Sequence, residues 1–160
     1  MVTRLPRKAS PVPKKALSKV KVKEIMNRKP ATVTKDMSIE DLIERLRQQI
    51  EDCFPVVNKN RRLVGIVTES DVLNVFKAPR HRTIFFVGAP ISEMGKYTAS
   101  NVGEIMTERP ISVTSDASVQ EAIDLMVAHK LRHLPVVEKG KLVGLITLRD
   151  ILDLYHLIKH

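Results

Sequence analysis

The sequence predicts an α+β fold made of two β-α-β-β-α repeats that pack together with approximate two-fold symmetry. Two observations predict it. A short stretch occurs twice, and the same helix and strand patterns surround each copy in the same order. The two stretches are Gly65-Ile66-Val67-Thr68-Glu69-Ser70-Asp71 and Gly144-Leu145-Ile146-Thr147-Leu148-Arg149-Asp150. At 160 residues, 43% of them hydrophobic, the chain is long enough to bury a core.

The similarity continues on the N-terminal side of each stretch, in register. Val22-Lys23-Glu24-Ile25-Met26 corresponds to Val102-Gly103-Glu104-Ile105-Met106, and Pro55-Val56-Val57 corresponds to Pro135-Val136-Val137. Repeats of this kind are tested before secondary structure is assigned, since they fix the architecture. The predicted organisation is a flexible basic arm at 1–21, a first repeat at 22–76, a connector with an apolar segment at 77–101 and a second repeat at 102–160.

A helix is predicted in the first half of each repeat. In the first copy the apolar residues fall on one helical stripe: Ile39, Leu42, Ile43, Leu46 and Ile50. Ser38 with Asp41 is a capping box that begins this helix, and Ser118 with Glu121 begins its counterpart.

A hairpin and a final helix are predicted to follow. The paired aliphatic runs are Phe54 to Val57 with Leu63 to Thr68, and Leu134 to Val137 with Leu142 to Thr147. A last helix then opens at each threonine. Cys53 is the one cysteine, so it has no intramolecular disulfide partner, and its strand-like context predicts a small buried hydrophobe.

The net charge of +9 is concentrated at the N-terminus. Eight Lys or Arg and no acid lie between Met1 and Lys23, so the rest of the chain is close to neutral. With three prolines and no apolar period, this stretch is predicted to be a flexible arm. Two interpretations stay open: a solvated arm, or an arm that binds nucleic acid or an acidic partner through residues 1–23.

No apolar run approaches the roughly 18 to 20 residues of a membrane span, and the first residues lack the apolar region of a secretory signal. We therefore expect a soluble cytoplasmic protein without a membrane partner.

Together, the paired Glu-Ile-Met, Pro-Val-Val and Gly-x-x-Thr-x-x-Asp motifs resemble a known family, the tandem pair of cystathionine-beta-synthase-type (CBS) domains called the Bateman module. The resemblance covers Val22 to about Tyr155. It implies a regulatory, non-catalytic sensor whose clefts between the repeats bind an adenosine-type ligand (AMP, ADP, ATP or S-adenosylmethionine). It also implies pairing into a homodimer.

The resemblance implies specific ligand contacts. Asp71 and Asp150, with Thr68 and Thr147, would hold ribose, and Ile66 and Leu145 would flank adenine. The residues themselves leave an alternative open. Each Thr–Asp pair is also a helix-capping box, and the two aliphatic residues are also ordinary core.

The two copies differ where phosphates would lie. Lys130-Leu131-Arg132-His133 stands where the first copy has Ile50-Glu51-Asp52-Cys53, and Arg149 stands where it has Ser70. Carried over from the family, Arg132, His133 and Arg149 would contact the phosphate of a nucleotide whose ribose is held by Asp71 and Thr68. We therefore expect unequal clefts, with an anionic nucleotide preferring the Asp71 cleft. Solvated surface charges remain the alternative.

The remaining motifs predict neither a metal site nor catalysis. His129 with His133, and His156 with His160, have a spacing that suits a metal, but neither pair has a third ligand nearby, so no metal site is predicted. No glycine-rich phosphate loop or nucleophile motif is present, and no catalytic residue is expected. In the connector, Ile84 to Val87 is predicted to pack on its own repeat or to form a dimer surface, and Pro79 to Arg82 adds a basic cluster. The leading hypothesis is the adenosine sensor, and the competing one is an adaptor that binds through the arm.

Overall fold

The computed structural model describes residues 14–76 and 99–159. Its helices are α1 Lys14–Leu17, α2 Val22–Ile25, α3 Ile39–Gln48, α4 Glu69–Val75, α5 Val119–His129 and α6 Leu148–Lys159, with a 3-10 turn at Val102–Glu104. Its strands are β1 Cys53–Val57, β2 Leu63–Thr68, β3 Thr107–Glu108, β4 His133–Glu138 and β5 Lys141–Thr147. No helix in these two ranges is long and apolar enough to cross a lipid bilayer.

Each predicted hairpin forms. β1 pairs antiparallel with β2, and β4 pairs antiparallel with β5, with a register shift at the equivalent step, Val56/Val57 and Val136/Val137. The predicted first strand of each repeat is reduced to one parallel bridge, Val33 to Val56 and Val113 to Val136. The first strand of each repeat is therefore present as a single bridge beside the hairpin.

The helix caps follow the prediction. The Ser38 hydroxyl accepts a hydrogen bond from the Asp41 amide at 3.1 Å, and the Ser118 hydroxyl accepts one from the Glu121 amide at 3.2 Å. α3 ends at Gln48, so Ile50 lies beyond the helix and is fully exposed. The apolar stripe was therefore predicted one turn too long.

The leading segments of the two repeats are exchanged. The Asn27 amide and carbonyl both bond to Leu145 of β5 at 2.9 Å, and in the equivalent position β3 pairs with Gly65 and Ile66 of β2. Lys21 likewise bridges to Ser118, and Asn101 bridges to Ser38. Each repeat in the sequence thus contributes its first residues to the structural unit of the other repeat.

Two hydrophobic clusters reflect this exchange. The first contains Val102 among the buried residues of repeat 1. The second contains Val22 and Met26 among the buried residues of repeat 2. Val22 and Val102 are both completely buried, so removal of either leading segment would open the core of the other repeat.

Two glycines let the exchanged segments approach. A Cβ on Gly144 would lie 2.6 Å from Met26 Sδ and 2.9 Å from the Asn27 carbonyl oxygen. A Cβ on Gly65 would lie 2.6 Å from Met106 Sδ and 3.0 Å from the Thr107 carbonyl oxygen. The glycine that begins each duplicated stretch is therefore needed for close approach of a neighbouring backbone.

The basic arm was predicted to be flexible through residue 21, and this is wrong for its last part. Residues 14–17 form α1, which packs against α5, and Val20 accepts a hydrogen bond from the Val119 amide at 2.9 Å. The segment packs through three partly buried apolar residues, Ala16, Leu17 and Val20. The charge pattern of the arm gave no sign of these contacts. Residues 1–13, and the connector features at Pro79 to Arg82 and Ile84 to Val87, lie outside the described residues.

Candidate functional site

The first Thr–Asp pair joins β2 to α4. Thr68 precedes the helix, and Asp71 Oδ2 accepts hydrogen bonds from the Thr68 amide at 2.8 Å and from the Thr68 hydroxyl at 3.1 Å. The second oxygen of Asp71, Oδ1, has no hydrogen-bond partner within the described ranges. The hydrogen bonds to Oδ2 therefore orient the carboxylate, and Oδ1 can accept a hydrogen bond from a ligand.

The second pair repeats this arrangement at the start of α6. Asp150 Oδ2 accepts from the Thr147 amide at 2.7 Å and from the Thr147 hydroxyl at 2.8 Å, and the Asp150 amide donates to that hydroxyl at 3.4 Å. Both pairs thus stabilise helix starts, and each cap uses only one of the two carboxylate oxygens. The capping role and the binding role are compatible.

A cleft of about 410 Å³ lies over the first pair, and we call it the Asp71 cleft. Repeat 1 contributes Ile66, Thr68 and Asp71, all partly buried. The facing wall comes from the second half of the chain: Thr107, Arg109, Pro110, Ile111, Lys130, Leu131, Arg132, His133 and Pro135. Asp52, Glu69 and Ser70 complete the lining.

A second cleft, of about 530 Å³, lies over the other pair, and we call it the Asp150 cleft. Its lining comes from both repeats: Asn27, Ile50, Glu51, Asp52, Cys53, Arg132, His133, Leu145, Thr147, Leu148, Arg149, Asp150, Leu152 and Asp153. Leu145 is only 4% exposed, so it presents less surface than its counterpart Ile66.

The three residues expected to contact the phosphate do meet on one cleft, but it is the Asp150 cleft and not the Asp71 cleft. Arg132 and His133 line both clefts, but Arg149 lines the Asp150 cleft and is absent from the lining of the Asp71 cleft. Arg149 lies one residue before Asp150 at the start of α6, so the helix keeps it on its own repeat's side. The grouping of Arg149 with Asp71 is therefore corrected.

His133 is already engaged. Its Nε2 lies 2.7 Å from Asp52 Oδ1, and its side chain is 14% exposed while that of Asp52 is 43% exposed. This contact joins the first residue of β4 to the residue that precedes β1. A phosphate that approached His133 would therefore compete with a carboxylate.

Two cations in the Asp71 cleft were missing from the predicted site. Lys130 ends α5 in the left-handed conformation, and Arg109 follows β3, also in the left-handed conformation with φ of 47°. Lys130 belongs to the basic run noted in the sequence, whereas Arg109 reaches the cleft only because β3 pairs with β2 of the other repeat. No local pattern signals that pairing.

The two clefts differ in charge. When Asp and Glu are counted against Lys and Arg, the three acids of the Asp71 cleft (Asp52, Glu69 and Asp71) are matched by three cations (Arg109, Lys130 and Arg132). In the Asp150 cleft, Glu51, Asp52, Asp150 and Asp153 face only Arg132 and Arg149, so the lining is net acidic. An anionic ligand is better neutralised in the Asp71 cleft.

Cys53 lies in the wall of the Asp150 cleft but is only 2% exposed. Burial, with Asp52 and Glu51 adding to it, raises the pKa of the thiol to about 12. The thiol therefore stays protonated near neutral pH, which is the state of a buried structural cysteine and not of a nucleophile. No cluster of three or more His, Cys, Asp or Glu suited to a metal occurs in the ranges 14–76 and 99–159, and His160 lies outside them.

A family model for the CBS domain matches the chain twice, over residues 22–78 and 102–157. The chain therefore belongs to the CBS domain family, and the two matches make it a tandem CBS pair. This confirms the resemblance seen in the paired motifs.

Known proteins resemble the chain over most of its length. An uncharacterised protein of Methanocaldococcus jannaschii is 29% identical over 150 residues, covering 82% of this chain and 89% of the relative. YlbB of Bacillus subtilis, also uncharacterised, is 31% identical over 132 residues, covering 82% and 79%. The solved structure of CBSX2 in complex with AMP is 26% identical with a TM-score of 0.73, covering 88% of this chain and 99% of that one. CBSX2 is a CBS-pair protein of Arabidopsis thaliana. These similarities confirm the predicted α+β fold.

Proposed function

We propose that this chain is a non-catalytic regulatory module that binds adenosine-containing ligands in its two clefts. One observation carries the proposal: each oriented carboxylate, Asp71 and Asp150, keeps one oxygen without a partner in the described chain and lies in a cleft between repeats. Such an oxygen suits the hydroxyls of a ribose. The AMP complex of CBSX2, a relative of the same fold, supports the choice of an adenosine compound.

The clefts are unequal in this proposal. A nucleotide with a phosphate prefers the Asp71 cleft, where Arg109, Lys130 and Arg132 neutralise it. A neutral or cationic adenosine compound is better tolerated in the net acidic Asp150 cleft. Ile66 flanks the adenine of a ligand in the Asp71 cleft, and Leu145 flanks the adenine of a ligand in the Asp150 cleft.

The first experiment is a thermal-shift panel with AMP, ADP, ATP, S-adenosylmethionine and methylthioadenosine. A ligand that binds only the folded chain must raise its apparent melting temperature. We expect a shift from at least one of these compounds. No shift from any of them would remove the adenosine proposal and leave the adaptor that binds through its basic arm.

The second experiment tests the ribose contacts and the asymmetry by calorimetric titration with AMP. Asp71→Asn keeps an oxygen that caps α4 but removes the charge, and it is expected to weaken AMP binding by roughly 10- to 100-fold, the value of a charged hydrogen bond. Asp150→Asn is expected to change the tightest AMP binding little. Asp124→Asn is the control, since Asp124 lies on the exposed face of α5 and lines neither cleft. Equal losses from the Asp71 and Asp150 variants would contradict the asymmetry.

Signal output requires a second surface, and the final helices of the two repeats offer one. Leu73 and Phe76 at α4 are 65% and 68% exposed, and Leu152 and Leu157 on α6 are 57% and 75% exposed. Apolar side chains in such numbers on two helices favour burial against another copy of the chain. We propose a homodimer through these helices, in which ligand binding shifts the population between two arrangements. Sedimentation of Phe76→Glu and Leu152→Glu, each expected to be monomeric, tests this.

A further inference from the structure

The clefts share part of their walls. Arg132, His133 and Asp52 line the Asp71 cleft and the Asp150 cleft alike. They come from equivalent places in the two repeats, because Asp52 occupies in repeat 1 the position that Arg132 occupies in repeat 2. The shared wall therefore lies between the two clefts, near the axis that relates the repeats.

Within the shared wall, the Arg132 side chain makes no contact with a carboxylate that the structure describes, unlike that of His133. His133 contacts Asp52 at 2.7 Å. The Arg132 side chain is exposed and makes no hydrogen bond or ion pair with any residue that the structure describes. Its backbone is fixed, because its carbonyl accepts a hydrogen bond from the Leu148 amide at 2.8 Å, at the start of α6. The guanidinium thus extends from an anchored backbone and can turn to either cleft.

We propose that the Arg132 guanidinium is shared between the clefts, so that a phosphate-bearing ligand bound in the Asp71 cleft weakens the binding of a second phosphate-bearing ligand in the Asp150 cleft. The inference rests on the proposed adenosine-binding function and adds a regulation to it. A guanidinium pairs in bidentate fashion with one phosphate at a time. An uncharged adenosine compound does not need the guanidinium and is not excluded.

Since the Asp71 cleft fills first, the loss is observed in the Asp150 cleft. When Arg132 turns to the Asp71 cleft, it joins Arg109 and Lys130 there. The Asp150 cleft then keeps Arg149 alone against Glu51, Asp52, Asp150 and Asp153. A second phosphate would enter a lining with a larger excess of negative charge. Because coupling between two binding events is reciprocal, a phosphate in the Asp150 cleft weakens the Asp71 cleft by the same factor.

The test is calorimetric titration of the full chain with AMP and, separately, with adenosine. For AMP we expect two steps whose affinities differ by about 5- to 150-fold, the usual range of coupling between sites. For adenosine we expect two steps of similar affinity. Adenosine added to chain whose Asp71 cleft is already filled with AMP is expected to bind with the affinity it shows alone. Asp150→Asn identifies the second step, which it should weaken.

Arg132→Gln separates sharing from simple repulsion between two phosphates. It is expected to weaken the first AMP step and to reduce the separation between the two AMP affinities to the part that the remaining fixed charges of the two linings produce. The control Arg149→Gln should weaken the second step only, and so widen the separation, since Arg149 lines one cleft. Thermal unfolding of both variants checks that each is folded.

The outcomes are distinguishable. A wild-type chain that binds none of the thermal-shift compounds and no adenosine overturns the proposed function and this inference together. If AMP fills both clefts and binding to one leaves the affinity of the other unchanged, the sharing of Arg132 is overturned but the proposed function stays intact. A separation that persists unchanged in Arg132→Gln assigns the antagonism to another cause and overturns the role of this residue.

Discussion

The Asp71 cleft and the Asp150 cleft have matching floors and different walls. On each floor a threonine and an aspartate make the same hydrogen bonds, with lengths that differ by a few tenths of an ångström at most. On the walls the charges are balanced in the Asp71 cleft and net acidic in the Asp150 cleft. The duplicated scaffold keeps the residues that hold helices and strands in place, while the charged side chains around it differ. The difference implies one architecture with two binding preferences.

The largest expected effect tests whether the two halves are one cooperative unit. Phe54 and Leu134 are equivalent, completely buried residues in the two clusters. Phe54→Ala is expected to cost about 3–5 kcal/mol and Leu134→Ala about 2–5 kcal/mol. Because Val22 and Val102 tie each half to the other, each variant should unfold in one transition, followed by circular dichroism in urea.

A variant that loses one half first, with two separate transitions, would contradict that cooperative picture. Ile50→Ala is the control. Its side chain is fully exposed, so its removal should leave the urea midpoint unchanged.

The next effect tests the close approach of the exchanged segments. Gly144→Ala places a methyl group 2.9 Å from the Asn27 carbonyl oxygen, and Gly65→Ala places one 3.0 Å from the Thr107 carbonyl oxygen. Each is expected to destabilise the chain by about 1–3 kcal/mol, since the obstacle is backbone. Gly103→Ala, whose nearest neighbours lie at 3.2 Å, should cost less in the same urea unfolding assay. Tolerance of alanine at Gly144 would argue against the exchange.

Helix capping is expected to contribute less and to depend on pH. Ser118→Ala should cost about 1 kcal/mol, and more than Ser38→Ala, because it also removes the hydroxyl that donates to Glu121 at 2.9 Å, while the Ser118 amide still donates at 2.6 Å. Those bonds hold the pKa of Glu121 below its ordinary value. The contribution is therefore present above the ordinary glutamate pKa and is lost as pH falls through the lowered pKa of the folded chain.

Urea midpoints of wild type and Glu121→Gln, compared from neutral to acidic pH, check this. The two curves should converge as the pH falls. A constant difference at every pH would contradict the lowered pKa.

The smallest expected effect tests the charge difference between the clefts. Glu51 lines the Asp150 cleft and not the Asp71 cleft. Glu51→Gln should raise the affinity of the second AMP step by roughly two- to threefold, as expected for one charge at several ångströms in a wet cleft. Adenosine affinity should not change, and added salt should reduce the gain. Glu40→Gln, on the exposed side of α3, is the matched control, and an equal gain there would exclude a local effect.

Much of the fold follows from local signals. The Ser38 and Ser118 caps and the two hairpins were predictable because each depends on residues close together in sequence. The end of α3 was not. Ile50 continues the apolar period, but the chain must leave the helix by Gln48 to reach β1.

The candidate site was predictable only in part. The Thr68–Asp71 and Thr147–Asp150 pairs are local, and their duplication marks them. Arg109 was missed, and Arg149 was grouped with the wrong cleft. Their positions depend on which strand pairs with which, and β3 pairs with a strand of the other repeat.

The sequence by itself determined that the chain contains two copies of one unit and that each copy ends in a threonine and an aspartate at the start of a helix. Those hydrogen bonds span three residues and form wherever the helix forms. Only the tertiary structure decided that the leading segments are exchanged and that Arg132 faces both clefts. These arrangements depend on contacts between residues far apart in the chain, which are set by how the two hydrophobic clusters pack and not by any local pattern.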